Sequence, residues 1–185
     1  MKKQLPPGLA TSLTTSEQSW IANDVEDWSV VEGPLTTLPT LREGDALIIN
    51  GDVALERELE VAASVLVILG DVRARSVIVS NGAILSIRGR LVADTAVAAL
   101  ESTLQVGVFA GAVAITLVQS TIRFDATPDT GAKLIRDTTA QFVVPPHTLL
   151  EASPCEDALT GDLLEDPYVL IDAVRAGSPV LRLPT

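Results

Sequence analysis

Residues 51–107 consist of three segments of equal length: GDVALERELEVAASVLVIL (51–69), GDVRARSVIVSNGAILSIR (70–88) and GRLVADTAVAALESTLQVG (89–107). Each segment opens with a glycine, so this part of the chain repeats every nineteen residues. Self-similarity at a fixed period of this size is typical of a solenoid, in which each repeat packs on its neighbours. The repeat therefore predicts a coiled chain built from short, similar rungs.

Apolar residues recur at the same places in each rung, and their spacing identifies the kind of solenoid. Two columns are separated by one residue, as side chains on one face of a strand must be. They are Leu47/Ile49, Leu66/Ile68, Leu85/Ile87, Leu104/Val106 and Ile122/Phe124. Two further inward columns are predicted, Val53/Val72/Leu91 and Leu59/Ile78/Val97/Ile115. Three inward sides per turn predict an all-β solenoid, a single-domain parallel β-helix. The right-handed form is preferred, while column intervals of about six or seven residues leave the left-handed form open.

The regions around the repeat are expected to close the solenoid. We divide the chain into an N-terminal tail and cap (1–44), the repeats (45–126), and an acidic C-terminal extension and cap (127–185). The N-terminal region carries both tryptophans, which are expected to pack in the cap, because an open solenoid end exposes core and strand edges. A short helix is predicted to begin at Ser16. A second is predicted to start with Asp166 as its cap and to stop at Gly177.

Some apolar side chains are predicted to point outward from the first strand of each rung. They are Ile48, Val65, Val67 and Ile84. Apolar patches are seldom left bare, so the chain's own termini are expected to cover them, with a second molecule as the alternative. Two outward columns of charge, Glu56/Arg75/Asp94 and Asp52/Asp71/Arg90, are expected to form modest cross-rung pairs. The aspartate after each of two glycines is expected to be a turn residue.

Composition limits the class of partner and the compartment. The formal net charge of −11 argues against binding to nucleic acid or to anionic membranes. No secretory signal is recognised, and the longest apolar run, Val65 to Leu69, is too short to span a bilayer. A single cysteine excludes an internal disulfide and is typical of a reducing compartment. We therefore expect a cytoplasmic protein that is a monomer or a small closed oligomer.

Residues that carry chemistry are few. The only histidine, His147, lies outside the repeat, and the only cysteine, Cys155, has acidic neighbours that disfavour a thiolate. No catalytic, cofactor-binding or metal-binding residue is predicted, and no phosphate loop or dinucleotide motif is present. The acidic residues of the tail lack the spacing of an EF-hand, but they are the candidate partner-binding residues. They are Glu156, Asp157, Asp162, Glu165 and Asp166.

The text GDVRARSVIVSNGAILSIRGRLVA (70–93) resembles two bacterial groups. One is the bactofilins, polymer-forming β-helix proteins. The other is a set of small β-solenoid proteins with GDLRARNLIV-like rungs, some of which accompany toxins as immunity proteins. The tail LLEDPYVLIDAVRAGSPVLR (163–182) resembles the end of the second group. This resemblance implies a non-catalytic protein-interaction module, an immunity protein that binds and neutralises a basic toxin. The alternative is a bactofilin-like protein that self-associates through its β-helix ends, and an enzyme is least favoured.

Overall fold

A parallel β-solenoid of about 7 turns forms the body of the protein, and a short helix follows near its C-terminus. The computed structural model describes residues 5–23, 25–129, 131–148, 151–159, 163 and 166–181. The helices lie at either end of the chain: α1 (Pro7–Ser12), α2 (Thr15–Asn23), α3 (Cys155–Ala158) and α4 (Pro167–Ala176). All-β architecture with parallel rungs is therefore confirmed.

Each turn of the coil contributes strands to three faces. The first face comprises β1 (Trp28–Glu32), β2 (Ala46–Asn50), β5 (Val65–Ile68), the starts of β8 (Ile84–Ala98) and β9 (Thr103–Thr116), β10 (Thr121–Phe124) and β12 (Gln141–Val143). The second face comprises β3 (Val53–Ala54), β6 (Val72–Arg73) and the middles of β8 and β9. The third face comprises β4 (Glu58–Ala62), β7 (Ser76–Ser80), the ends of β8 and β9, β11 (Lys133–Arg136) and β13 (Ala152–Pro154).

The parallel ladder reaches beyond the repeat predicted at residues 45–126. At one end β1 pairs in register with β2, from Trp28 opposite Ala46 onward. At the other end β12 pairs with β10, and β13 pairs with β11. The nineteen-residue spacing is lost in these outer rungs, since paired residues of β1 and β2 lie 18 positions apart and those of β10 and β12 lie 20 apart. The connector after β1 helps to fill the first rung, where Leu38 and Leu41 pack against the interior.

Aliphatic columns fill the interior of the coil. The predicted inward columns of the first and second faces are confirmed, since each of their residues belongs to the continuous buried interior cluster. Aromatic rings appear in the interior only toward the C-terminal rungs. There Phe109, Phe124 and Phe142 follow one another, with ring centroids 5.6 and 5.9 Å apart. The interior is thus predominantly apolar, with Thr116, in register with Ala98, as a buried polar residue.

The predicted inward column of the third face is wrong beyond its first member. Leu59 lies opposite Val77, not Ile78, because the rung from Glu58 to Ser76 takes 18 residues. A slip of one residue turns every side chain of a strand to the other side. The interior positions are therefore Leu59, Val77, Ala96 and Ala114. The outward positions are Ile78, Val97 and Ile115, which are buried by the C-terminal segment.

Glycines and aspartates stack at the corner between the first and second faces. A side chain at Gly70 has no room, since its Cβ would lie 2.3 Å from Oδ1 of Asp52. That oxygen accepts a hydrogen bond from the backbone N–H of Asp71 (2.8 Å), and Asp71 accepts one from the N–H of Arg90 (2.7 Å). The aspartates therefore bind the next rung's backbone at the turn, which refines the prediction of turn residues.

The predicted charge column Glu56/Arg75/Asp94 is not formed as expected. Arg75 lies beside Arg57, whose carbonyl accepts its N–H, and not beside Glu56. The guanidinium of Arg75 instead pairs with Glu58 at 3.1 Å. The shortened rung explains this change, because it moves the charges of the third face by one position.

Candidate functional site

The predicted acidic residues lie on the C-terminal cover of the coil. Glu156 and Asp157 occupy the first turn of α3, and both side chains are exposed. Asp166 is the N-cap of α4, where Oδ1 accepts a hydrogen bond from the N–H of Tyr168 at 2.8 Å. Asp162 and Glu165 lie outside the described residues. The structure therefore brings Glu156 and Asp157 together and assigns Asp166 a local structural contact.

Two open clefts adjoin β13 and this pair of acidic residues. One has a volume of about 510 Å³ and is lined by Arg136, Asp137, Pro154 and Glu156, among others. The other has a volume of about 430 Å³, and its lining includes Lys133, Glu151, Ser153 and Asp157. Because neighbouring side chains of a strand point to opposite faces, Ser153 and Pro154 serve different clefts. Acidic residues thus border concave surface on both faces of the last strand.

Asp137, in the first cleft, holds a turn together. Its carboxylate accepts hydrogen bonds from the N–H groups of Val118 (2.6 Å), Thr139 (2.7 Å) and Ala140 (2.8 Å). Burial alone would raise the pKa of Asp137, but these bonds and one from the Thr139 hydroxyl outweigh it, so the pKa lies below its ordinary value. The bond to Val118 supports a residue with a φ of 50°, which is strained for a β-branched side chain.

Cys155 is buried at the start of α3 and is suited to packing. Burial, together with the negative charges of Asp137 and Glu156, raises the pKa of its thiol to about 12. A thiol with that pKa stays protonated at neutral pH, and the thiolate is the nucleophilic form. Cys155 instead contributes to the apolar cluster between the third face and the C-terminal segment.

Other chemistry-bearing groups are scattered. His147 is exposed in a loop, with a φ of 69°. Among the residues that the structure describes, no three His, Cys, Asp or Glu side chains come close enough to hold a metal ion. Within the same residues, none of the helices has the length and apolar character needed to cross a membrane.

The apolar outward residues of the first face are covered by the chain's own N-terminal helices. Leu13, Ile21 and Val25 form one buried cluster with Ile48 and the neighbouring outward residues of β2 and β5. Both tryptophans join this cluster, Trp28 as a buried member and Trp20 at its margin. The expected cover is therefore confirmed, although it lies on a lateral face rather than across the end of the coil.

A buried carboxylate anchors this N-terminal cover, and the sequence interpretation missed it. Glu17 is fully buried, and its Oε1 accepts hydrogen bonds from the hydroxyl of Ser86 (2.7 Å) and from Nε of Arg88 (3.0 Å). Its Oε2 accepts from the backbone N–H of Thr14 (2.6 Å), while the Thr14 hydroxyl accepts from the N–H of Glu17. The spacing Thr-x-x-Glu is a capping box, a signal visible in the sequence. The contacts of Glu17 with Ser86 and Arg88 on β8 cannot be recognised from the local sequence.

The C-terminal cover is joined to the third face by hydrogen bonds from two arginines. Nη2 and Nε of Arg175 donate to the two carboxylate oxygens of Glu60, at 2.6 and 3.1 Å. Arg75 donates to the carbonyl of Arg175 at 2.7 Å. The predicted start and stop of this helix are confirmed. The sequence spacing predicts that Val169, Leu170, Ala173 and Val174 line its inner face. This prediction is corrected at one position, since Val169 is 42% exposed and Ile171 is buried in its place.

The fold defines this chain as a parallel β-solenoid protein. No match to a known protein accompanies that result: no family model fits the chain, and no curated protein or solved structure is significantly similar to it. The resemblance to bactofilins and to immunity proteins, carried by residues 70–93 and 163–182, therefore stays a prediction.

Proposed function

We propose that this protein is a non-catalytic protein-binding module, and that its partner is a basic protein. The specific form of the proposal is an immunity protein that binds and neutralises a bacterial toxin, as the sequence resemblance implies. The module would act in the cytoplasm without a cofactor, as a monomer or small closed oligomer. Support comes from the roles of the chemistry-bearing residues, since Cys155 packs in a core and Asp137 holds a turn.

The observation that carries the proposal is the state of the acidic residues at α3. Some carboxylates are neutralised within the chain, as Glu58, Glu60 and Asp129 are by arginines. Glu156 and Asp157 are exposed beside the two clefts, and the described residues form no ion pair with either, although one cation lines each cleft. Exposed, unpaired negative charge next to concave surface favours a partner with the opposite charge.

The test measures how fast the full chain associates with a basic toxin encoded beside it. Opposite fields accelerate encounter, so association should slow as salt rises from about 50 to about 500 mM, while dissociation changes less. Reversing Glu156 and Asp157 to lysine should slow association by about tenfold at low salt.

The matched control reverses Glu56 and Asp94, two exposed carboxylates far from α3 in the chain, and makes the same change in net charge. It should slow association much less. A salt-independent rate, an equal effect of both double variants, or no binding to any neighbouring gene product would contradict the proposal.

A second candidate function is bactofilin-like self-association, and one feature of the ladder favours it. The first face ends in β1 and in β12, and the described part of the chain places no further strand beyond either. Phe142, on β12, is only half-buried at the end of the ring stack. Open strand edges can pair with another chain. The terminal helices lie on lateral faces, so they supply no cover across these ends.

Light scattering at rising concentration distinguishes the two functions. The protein-binding proposal expects a monomer or small closed oligomer, and filaments would favour the second candidate. If filaments form, Val30→Lys on β1 should abolish them, whereas Val169→Lys on α4, with similar exposure of 42% against 37%, should leave them intact. Loss of filaments in both variants would contradict joining through the β1 edge.

A further inference from the structure

The N-terminal helices cover an apolar surface that the solenoid does not need for its own core. We use the name strap for residues 7–23, which hold α1 and α2, and the name strip for the outward residues Ile48, Val65, Val67 and Ile84. The strip points away from the interior, which the inward columns fill on the other side of the same strands. Lifting the strap would therefore leave every rung contact and every interior contact in place.

Three residues of the strap are buried, while Leu9 and Trp20 pack at the margin of the same cluster. α1 buries none of its residues, and α2 buries Glu17 and Ile21 alone. Leu13, between the two helices, is the other buried member. Proteins open locally where buried apolar contacts are few, at a lower free energy than global unfolding. The strap meets that condition, whereas the strands beneath it do not.

Glu17 combines two tasks in one carboxylate. It caps α2 through the N–H of Thr14, and it joins the strap to β8 through Ser86 and Arg88. Arg88 adds a second link, since its Nη2 donates to the carbonyl of Ser12 at 2.9 Å. Removing the carboxylate would weaken the helix and its attachment together, so Glu17 serves as a latch.

We propose that the strap is detachable, that Glu17 is its latch, and that the first face beneath it is a docking site for an amphipathic helix of a partner protein. The occupant follows from what the face already holds: a short helical segment that places Leu13 and Ile21 against the strip and one carboxylate at Ser86 and Arg88. This site lies on a different face from α3, so it does not depend on the basic partner proposed above.

The first test uses thiol labelling in the full chain, with Cys155 replaced by alanine. Val67 and Leu66 are adjacent on β5 and equally hidden, at 0% and 1% exposure, but Val67 lies under the strap and Leu66 in the interior. Val67→Cys should react about tenfold or more faster than Leu66→Cys, because strap opening alone uncovers it. Each rate is normalised to that of the same variant in denaturant.

The same labelling experiment with Glu17→Ala tests the role of Glu17 as the latch. It should accelerate labelling at position 67 by about tenfold and leave the rate at position 66 within about twofold. Equal rates at the two positions in the parent would show that the strap opens only with the whole coil. An equal acceleration at both positions would show that Glu17 supports the fold rather than the latch. Either result overturns the proposal.

The second test identifies the occupant with a fluorescent peptide of residues 5–23. The receptor is the full chain carrying Glu17→Ala, whose own strap is weakened. The wild-type peptide should bind saturably, and a peptide with Glu17→Ala should bind about tenfold more weakly because it lacks the carboxylate. No binding, or equal binding by the two peptides, would overturn the docking site.

Sedimentation of the same Glu17→Ala chain controls for a different occupant. A monomer is expected. A dimer formed through the uncovered strip would show that the face takes a second copy of this chain instead of a partner's helix, and would overturn the proposed occupant.

Discussion

The two terminal segments of this chain perform the same task with different construction. Each covers an outward apolar face of the solenoid, the N-terminal strap on the first face and α4 on the third. α4 has a side-chain cap at Asp166 and a left-handed glycine at its end, and it buries Leu170, Ile171 and Val174. The strap buries two apolar residues, Leu13 and Ile21, and its third buried residue is the carboxylate-bearing Glu17. An apolar face can thus be closed by a permanent layer or by a weakly held one.

The largest effect is expected from the permanent layer. Leu170 is fully buried between α4 and the third face, so Leu170→Ala should lower the free energy of unfolding by about 2–5 kcal/mol. Val169→Ala is the matched control, because that neighbour is 42% exposed, and it should cost less than about 1 kcal/mol. Urea denaturation measures both. Similar losses for the two variants would mean that α4 does not form a packed layer.

A smaller global effect is expected when the strap loses its cation. Arg88→Met leaves the buried carboxylate of Glu17 without its charged donor, at a cost of about 1–3 kcal/mol. The cost falls on the strap alone, so it should be smaller than that of Leu170→Ala. Arg123→Met removes a more exposed arginine paired with Asp125 and should cost less than about 1 kcal/mol. If Arg88→Met proved the most damaging of these variants, the two covers would not differ as described.

Asp137 adds a dependence on pH at the C-terminal side. Its pKa is depressed in the fold below the ordinary value of 3.8, so its charged form stabilises the protein. That contribution is fully present above the ordinary pKa and is lost as the pH falls through the folded pKa. The stability difference between wild type and Asp137→Ala, about 1–2 kcal/mol at pH 7, should therefore shrink below about pH 4. Urea denaturation across this pH range measures it, and a difference that is constant down to pH 2 would contradict the assignment.

The smallest effect is expected at the end of α4. Gly177 has a φ of 70°, which glycine adopts readily and alanine does not. Gly177→Ala should therefore cost about 1 kcal/mol. Gly8→Ala is the comparison in the strap, because a Cβ at Gly8 meets nothing within 4 Å and needs no left-handed backbone. Thermal melting should show a lower melting temperature for Gly177→Ala and no change for Gly8→Ala. Equal decreases would contradict the requirement for glycine at the end of α4.

The sequence predicted the solenoid and the first face because the inward column there keeps its nineteen-residue spacing from Leu47 to Leu104. It failed on the third face, where the rung from Glu58 to Ser76 takes 18 residues and β7 is apolar on both sides, so that either register would bury a hydrophobic column. Once C-terminal residues cover the outer side, such a strand is buried on both faces, and alternation no longer marks the interior.

In the candidate site, too, contacts between residues close in sequence could be predicted, whereas contacts between distant residues could not. The caps of α4 could be read from adjacent residues, and so could the capping box at Thr14 and Glu17. The contact of Glu17 with Ser86 joins residues 69 positions apart, so it depends on how the helix docks. The sequence likewise placed acids in the tail, but it did not show that Glu156 borders a cleft beside β13.

Hydrogen exchange of the full chain, read peptide by peptide, tests directly whether the solenoid carries two covers of unequal stability. We expect three levels of protection: lowest for the strap, higher for α4, and highest for the strands β5, β8 and β9. Glu17→Ala should lower protection in the strap and leave the strands unchanged. Exchange of the strap together with β5 and β8, in one cooperative step, would show that the strap is not held more weakly than the solenoid.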